Sequence, residues 1–233
     1  MPTSPDADGA ALTHRSARRL TVPAVAVLAA LLLAGCSSGG EALDAVRERA
    51  AAADRVRDYS SVEELVTRTA DAPRTRPADA VVVGRFVGAE PGVGMSWELV
   101  ADGEQTTYLR FADPDAEVHT VHLALEVDEV VAAGRSTDLG QTVQVGLALP
   151  PDVTLGDARA DAEGLGEVVV FLDRTSPVFG YAGDVWGVLE DGALVGTLDG
   201  DAVDLPLLGA QDPLREGEHT LSGLRAAAHR DGG

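Results

Sequence analysis

Two histidines three residues apart, His119 and His122 in the run EVHTVHLALE, are the nearest approach to a metal-binding pair in this chain. Imidazole is a common zinc ligand, and a shared ion needs both rings on one side of the backbone. Around them Val121, Leu123, Leu125 and Val127 alternate with His122, Ala124, Glu126 and Asp128. That period of two predicts a strand, on which an odd spacing sends the two rings to opposite faces. Just upstream, Asp113, Asp115 and Glu117 set carboxylates at alternate positions, as calcium loops do. They lack the glycine turn and the closing Glu of an EF-hand. Asp199, Asp201 and Asp204 form a second acidic turn, and the turn preferences of Asp beside Gly and Pro account for both stretches.

Covalent chemistry has less to work with. Gly94-Met95-Ser96-Trp97 is no nucleophile elbow, since that motif needs G-x-S-x-G between a strand and a helix. Gly92-Val93-Gly94 and Gly164-Leu165-Gly166 lack the strand–glycine–helix setting of a phosphate cradle. No cofactor is expected. Aromatic residues are only 4% of the chain. Trp97, Phe111, Phe171 and Trp186 fall on expected strands and read as core. Phe179 and Tyr181, in the loop SPVFGYAGD, are harder to bury and are the candidate contacts for a ligand or partner.

The single cysteine, Cys36, stands in LLLAGCSSGG. Arg15, Arg18 and Arg19 precede an apolar run from Leu20 to Ala34, shorter than the roughly 20 residues of a membrane span and suited to a signal peptide. Leu33-Ala34-Gly35-Cys36 resembles the bacterial lipobox, a branched apolar residue and two small ones before a lipidated cysteine. The resemblance implies a diacylglyceryl group on the Cys36 sulfur and cleavage by signal peptidase II between Gly35 and Cys36. Two acyl chains anchor stably where one binds only reversibly. The mature chain would then sit on the outer face of the cytoplasmic membrane, without an internal disulfide and without a free thiol.

The charge balance points away from nucleic acid. Acidic side chains number 38 against 18 basic ones, a formal charge of −20, whereas phosphate backbones demand Lys and Arg. Lys, Asn and Ile are all missing; their codons are A/T-rich, so a GC-rich coding sequence explains the lysine-free surface without selection for function.

The spacing predicts the positioning elements. Glu41 to Asp58 reads as a thin amphipathic helix serving as a stalk with little core to bury. Ser61-Val62-Glu63-Glu64 has a capping-box pattern ahead of Val62, Leu65 and Val66. Then the period changes. Ala80–Val87 is a β-branched run expected of a buried strand. Met95–Val100 and Thr106–Phe111 read as a hairpin about Asp102-Gly103. Val118–Val131, Gln141–Leu149 and Glu167–Leu172 are further strands. Val185–Leu189 and Ala193–Leu198 are expected to pair across Asp191-Gly192. Gly156–Gly166 reads as an acidic loop, and Thr220–His229 as a short helix.

Many short strands with turn signals between them imply a mainly β fold, a small barrel or sandwich. The order of SVEELV, AVVVGRFVGAE, HLALEVDEVVAAG, QTVQV and EVVVFL resembles uncharacterised secreted or lipid-anchored actinobacterial proteins. That resemblance implies an OB-like, netrin-like barrel with a short helix before it and one after it. The expected organisation is a signal peptide at 1–35, a lipidated stalk at 36–59, a barrel domain at 60–208 and a tail at 209–233. Its expected function is non-enzymatic binding of an envelope protein or small ligand. The second reading is a calcium- or zinc-binding module, or a metal-dependent surface enzyme, using His119, His122 or the acidic turns.

Overall fold

A computed structural model describes residues 41–52, 62–70, 78–100, 103–134, 137–174, 185–189, 192, 194–205 and 219–230. The chain divides into the units Met1–Ser37 and Ser38–Gly233, and all described residues belong to the second. Cys36, Gly35, the Ser61 cap, Phe179 and Tyr181 lie outside the described residues.

The described elements are helices α1 (Glu41–Ala52), α2 (Val62–Ala70), α3 (Leu155–Gly164) and α4 (Leu221–Arg230), with eight strands. These are β1 (Ala80–Val100), β2 (Gly103–Arg110), β3 (Val118–Ala133), β4 (Thr142–Leu149), β5 (Glu167–Asp173), β6 (Val185–Val188), β7 (Val195–Asp199) and β8 (Ala202–Asp204). All eight belong to one mixed sheet, ordered β2-β1-β3-β4-β6-β5-β7-β8. A further antiparallel pairing joins β1 to β5, so the pairings return on themselves as a partial ring, β1-β3-β4-β6-β5-β1. The β4–β6 join is parallel and short, Gln144 with Val185 and Val145 with Trp186.

The expected separate strands 80–87 and 95–100 are one strand of 21 residues. Four register shifts against β3 bend it, the widest between Pro91 and Gly94. Bulges of this kind raise twist and let one strand serve two directions. Ala80–Arg85 pair on one edge with β3 and on the other with β5. Ala80–Val83 and Val168–Leu172 are buried at every position, not at alternate ones. Each stretch is therefore covered on both faces, which is why both read as continuous apolar runs. Gly84 belongs to this packing: a Cβ there would fall 2.1 Å from the Glu126 carbonyl oxygen.

Three expectations are corrected. The first helix is no bare stalk, because Ala42, Leu43 and Val46 are buried and join the common core, and Ala50 is buried as well. The buried Asp161 carboxylate accepts the Ala42 N–H at 2.8 Å, and Arg47 donates to the Val195 carbonyl at 2.6 Å. The expected loop 156–166 is helix α3. Thr154 caps it through a reciprocal box with Asp157, whose N–H donates to the Thr154 hydroxyl oxygen at 3.1 Å. Lastly, β6 and β7 do not form the expected hairpin. Each pairs with β5, at Leu172–Asp173 and Val168–Val170 respectively.

The far edge of the sheet is closed by α4. Strand β8 bridges to Thr220, and the Val203 N–H donates to the His219 carbonyl at 3.0 Å. Asp201 caps the helix by accepting the Ser222 N–H and hydroxyl at 2.9 and 2.7 Å, and those bonds hold its carboxyl below the ordinary Asp range. Arg225 donates in a fork to Glu129 of β3 at 2.6 and 2.9 Å.

Gly84→Ala is expected to lower stability by roughly 1–3 kcal/mol through overpacking against backbone. Gly88→Ala, whose Cβ would meet nothing nearer than the Ala124 methyl at 3.8 Å, should be neutral or slightly stabilising. Urea unfolding of the two variants separates a close backbone approach from a generic cost of replacing glycine.

Candidate functional site

Strand alternation builds one polar face on β3 and β4. Thr120, His122, Ala124 and Glu126 stand opposite Ala148, Gly146, Gln144 and Thr142, with the core residues Val121, Leu123, Leu125, Val143, Val145 and Leu147 on the other side. His122 stands between Gly146 of β4 and Glu90 of β1. Its Nε2 lies over Gly92 of β1, where a Cβ would come within 3.0 Å of it and 2.2 Å from the Thr120 hydroxyl. Only a glycine fits beneath the two side chains.

The bulge at Pro91–Gly94 makes this arrangement possible. There the ladder between β1 and β3 is interrupted, and the Thr120 hydroxyl takes its place. It accepts the Val93 N–H at 2.7 Å and donates to the Val93 carbonyl at 3.1 Å. Thr120 is buried, so these bonds satisfy backbone groups that would otherwise be stranded.

His122 is half-buried. Burial lowers its pKa below the ordinary histidine value, while Glu90, its register partner on β1, pulls it back upward. The ring is thus mostly neutral near pH 7, one nitrogen donating and the other accepting. Two places along, the Gln144 side-chain oxygen is buried with no hydrogen-bond partner among the described residues. The half-buried neutral imidazole suits hydrogen bonding to an uncharged polar group, whereas the Gln144 oxygen is itself withdrawn from the surface.

The structure separates the other sequence candidates. His119 lies on the core side of β3, buried, with its ring centroid 4.9 Å from that of Phe111. Neither of its nitrogens has a hydrogen-bond partner among the described residues. The two histidines therefore occupy opposite faces, as the odd spacing requires. Phe111 is in a turn, partly buried, not on a strand, and Trp97 is also only partly buried; Phe171 and Trp186 are core.

The acidic stretches shape turns. The Asp113 carboxylate accepts the Asp115 N–H at 3.1 Å, and its carbonyl accepts the Ala116 N–H at 3.1 Å. Glu117 accepts the Trp97 N–H at 3.3 Å. Asp201 is the α4 cap, while Asp199 and Asp204 are exposed on the β7–β8 hairpin, whose Gly200 has φ of 61°. Among the described residues no three His, Cys, Asp or Glu side chains gather as a metal ion requires, and no helix is long and apolar enough to cross a membrane.

Residue types and spacing alone do not single out Thr120, Gly92, Glu90 and Gln144. A signal is present: two glycines beside proline in EPGVG mark a strand interruption. Its partner residue on β3 is not legible without the register. No protein-family model, curated protein or solved structure matches this chain.

Folding favours the neutral His122 ring, so the stability it brings is complete above the unfolded value near 6.5 and is lost as pH falls through the lower folded value. The His122 ring protons should titrate by NMR with a midpoint below about 6.5. Glu90→Gln should move that midpoint further down. A midpoint at or above the ordinary value, or an upward move in the variant, contradicts burial as the controlling cause.

Proposed function

We propose that this chain is a lipid-anchored protein of the bacterial cell envelope, carrying a non-enzymatic binding module on the outer face of the cytoplasmic membrane. The observation that carries the anchoring is Leu33-Ala34-Gly35-Cys36 placed directly after a basic cluster and an apolar run. Ser37-Ser38-Gly39-Gly40 then supplies a flexible spacer between lipid and fold.

We read the partial ring as an OB-like barrel. Three features support that reading. A long first strand is shared between β3 and β5; a helix, α3, lies between the third and fourth ring strands; and the last ring strand joins the third in parallel. OB barrels bind through the face of their second and third strands and the loops after the first and fourth. Those strands are β3 and β4 here, which carry His122 and Gln144. The corresponding connections are 101–117 and the segment joining β5 to β6, which contains Phe179 and Tyr181. The acidic chain repels polyphosphates, so the module's ligand is an uncharged polar molecule or a protein partner.

Cys36→Ala should abolish incorporation of a clickable fatty-acid analogue and shift the protein out of the membrane fraction. A variant that remains labelled, or that is cleaved and membrane-bound like the parent, overturns the anchoring.

A further inference from the structure

The two edges of the sheet are treated differently. At one end β8 is covered by the bridge to Thr220 and by α4 behind it. At the other end β2 pairs only with β1 among the described residues. Past Met95, which still faces Val118 of β3, residues Ser96–Val100 pair with β2 alone. The result is a two-stranded ribbon that leaves the ring, and such a ribbon is marginal without a third strand.

Edge strands in soluble proteins are usually defended by lysine, proline, bulges or a covering element. Among the described residues β2 has no lysine, proline, bulge or cover, and its two charges, Glu104 and Arg110, stand near its ends. Its register with β1 is unbroken from Val93–Arg110 to Val100–Gly103, and Gln105-Thr106-Thr107-Tyr108-Leu109 is uncharged and β-favouring. Gln105–Tyr108 are all exposed. In a two-residue hairpin the pair beside the loop, Val100 and Gly103, exchanges both of its hydrogen bonds. Alternate residues from Glu104 to Arg110, Thr106 among them, consequently turn their backbone groups away from β1.

We propose that β2 is a self-association edge and that its occupant is the β2 strand of a second copy of this chain. The strand's own charges select the register. An antiparallel pair centred on Thr107 sets Glu104 of one copy at the register position of Arg110 of the other, twice by symmetry. It also puts Thr106 opposite Tyr108, a β-branched residue beside an aromatic one, which is a favourable cross-strand pair. No other antiparallel register brings Glu104 of one copy opposite Arg110 of the other. Within a chain of formal charge −20, the segment 104–110 sums to zero, so the copies meet where their mutual repulsion is weakest. Such a closed two-fold contact joins the two ribbons into four strands. It forms whether or not the chain is lipid-anchored.

Residue 107 meets its own copy only in this register, at a non-hydrogen-bonded position where Cα atoms lie about 4.5 Å apart, within disulfide reach. Thr107→Cys in the full chain, oxidised with copper–phenanthroline in opened cells, should give a disulfide-linked homodimer well above the parent, whose Cys36 sets the background. Gln105→Cys should stay at background. Adding Arg110→Glu to Thr107→Cys should remove the dimer band, and adding Glu104→Arg as well should restore it. Equal bands at 105 and 107, a band indifferent to the charge swap, or a folded Thr107→Cys chain that stays monomeric or links to a different protein would each overturn the proposal.

Discussion

Six residues of β1, Ala80–Arg85, are hydrogen-bonded along both edges, to β3 on one side and β5 on the other. The rest of the fold depends on that double pairing. It turns a row of strands into a partial ring, and the covered stretches at its heart, Ala80–Val83 at the start of β1 and Val168–Leu172 of β5, are apolar at every position. It also sets a steric limit, since Gly84 must let the Glu126 carbonyl come within the space of a methyl group. Asp79 anchors the start of the strand. Its N–H donates to the Leu172 carbonyl at 2.8 Å, its own carbonyl accepts the Gly134 N–H at 2.9 Å, and its carboxylate accepts the Arg174 N–H at 2.8 Å.

Outside the partial ring, the remaining elements are positioned by two kinds of device. The helices are fastened by single buried or bidentate groups: α1 by Asp161, α4 by Asp201 and the Arg225–Glu129 fork. The fork is charge-assisted and holds the Glu129 carboxyl below its ordinary range. Being exposed, it contributes geometry more than stability. The second device is the bulge at Pro91–Gly94, held by the Thr120 hydroxyl. It both releases β1 toward the β2 ribbon and lowers the backbone beneath His122. One irregularity thus positions the polar face and the β2 ribbon together.

Much of this was legible in the residues. AVVVG and EVVVFL announced buried strands, and the alternation through Val121–Val127 fixed both the strand and the opposite placement of His119 and His122. Local pattern failed where a distant partner decides. The run GDARADAEG is poor in large apolar residues and ends in glycine, so helix α3 was hidden; Thr154 and Asp157 were its only local marks, with Asp in place of the usual Glu. The first helix looked thin because alanine counts little in a periodicity. Yet Ala42 and Ala50 are both buried, and Ala42 belongs to the common core. The hairpin expected at Asp191-Gly192 is absent because β5 lies between β6 and β7 and pairs with each, which no local turn signal reveals.

The ring closure by β1 and β5 is tested most directly by native-state hydrogen exchange. Doubly paired and fully buried backbone opens only with the whole fold. The account predicts that the amides of Val81–Val83 and Val168–Val170 exchange with the free energy of global unfolding, equal to that from denaturant melts. It also predicts that amides of β2, in the dilute monomer, exchange far sooner. If the amides of β5 exchanged at the rate of an edge strand while those of β3 stayed protected, β1 and β5 would not be paired in solution and the closure would be contradicted.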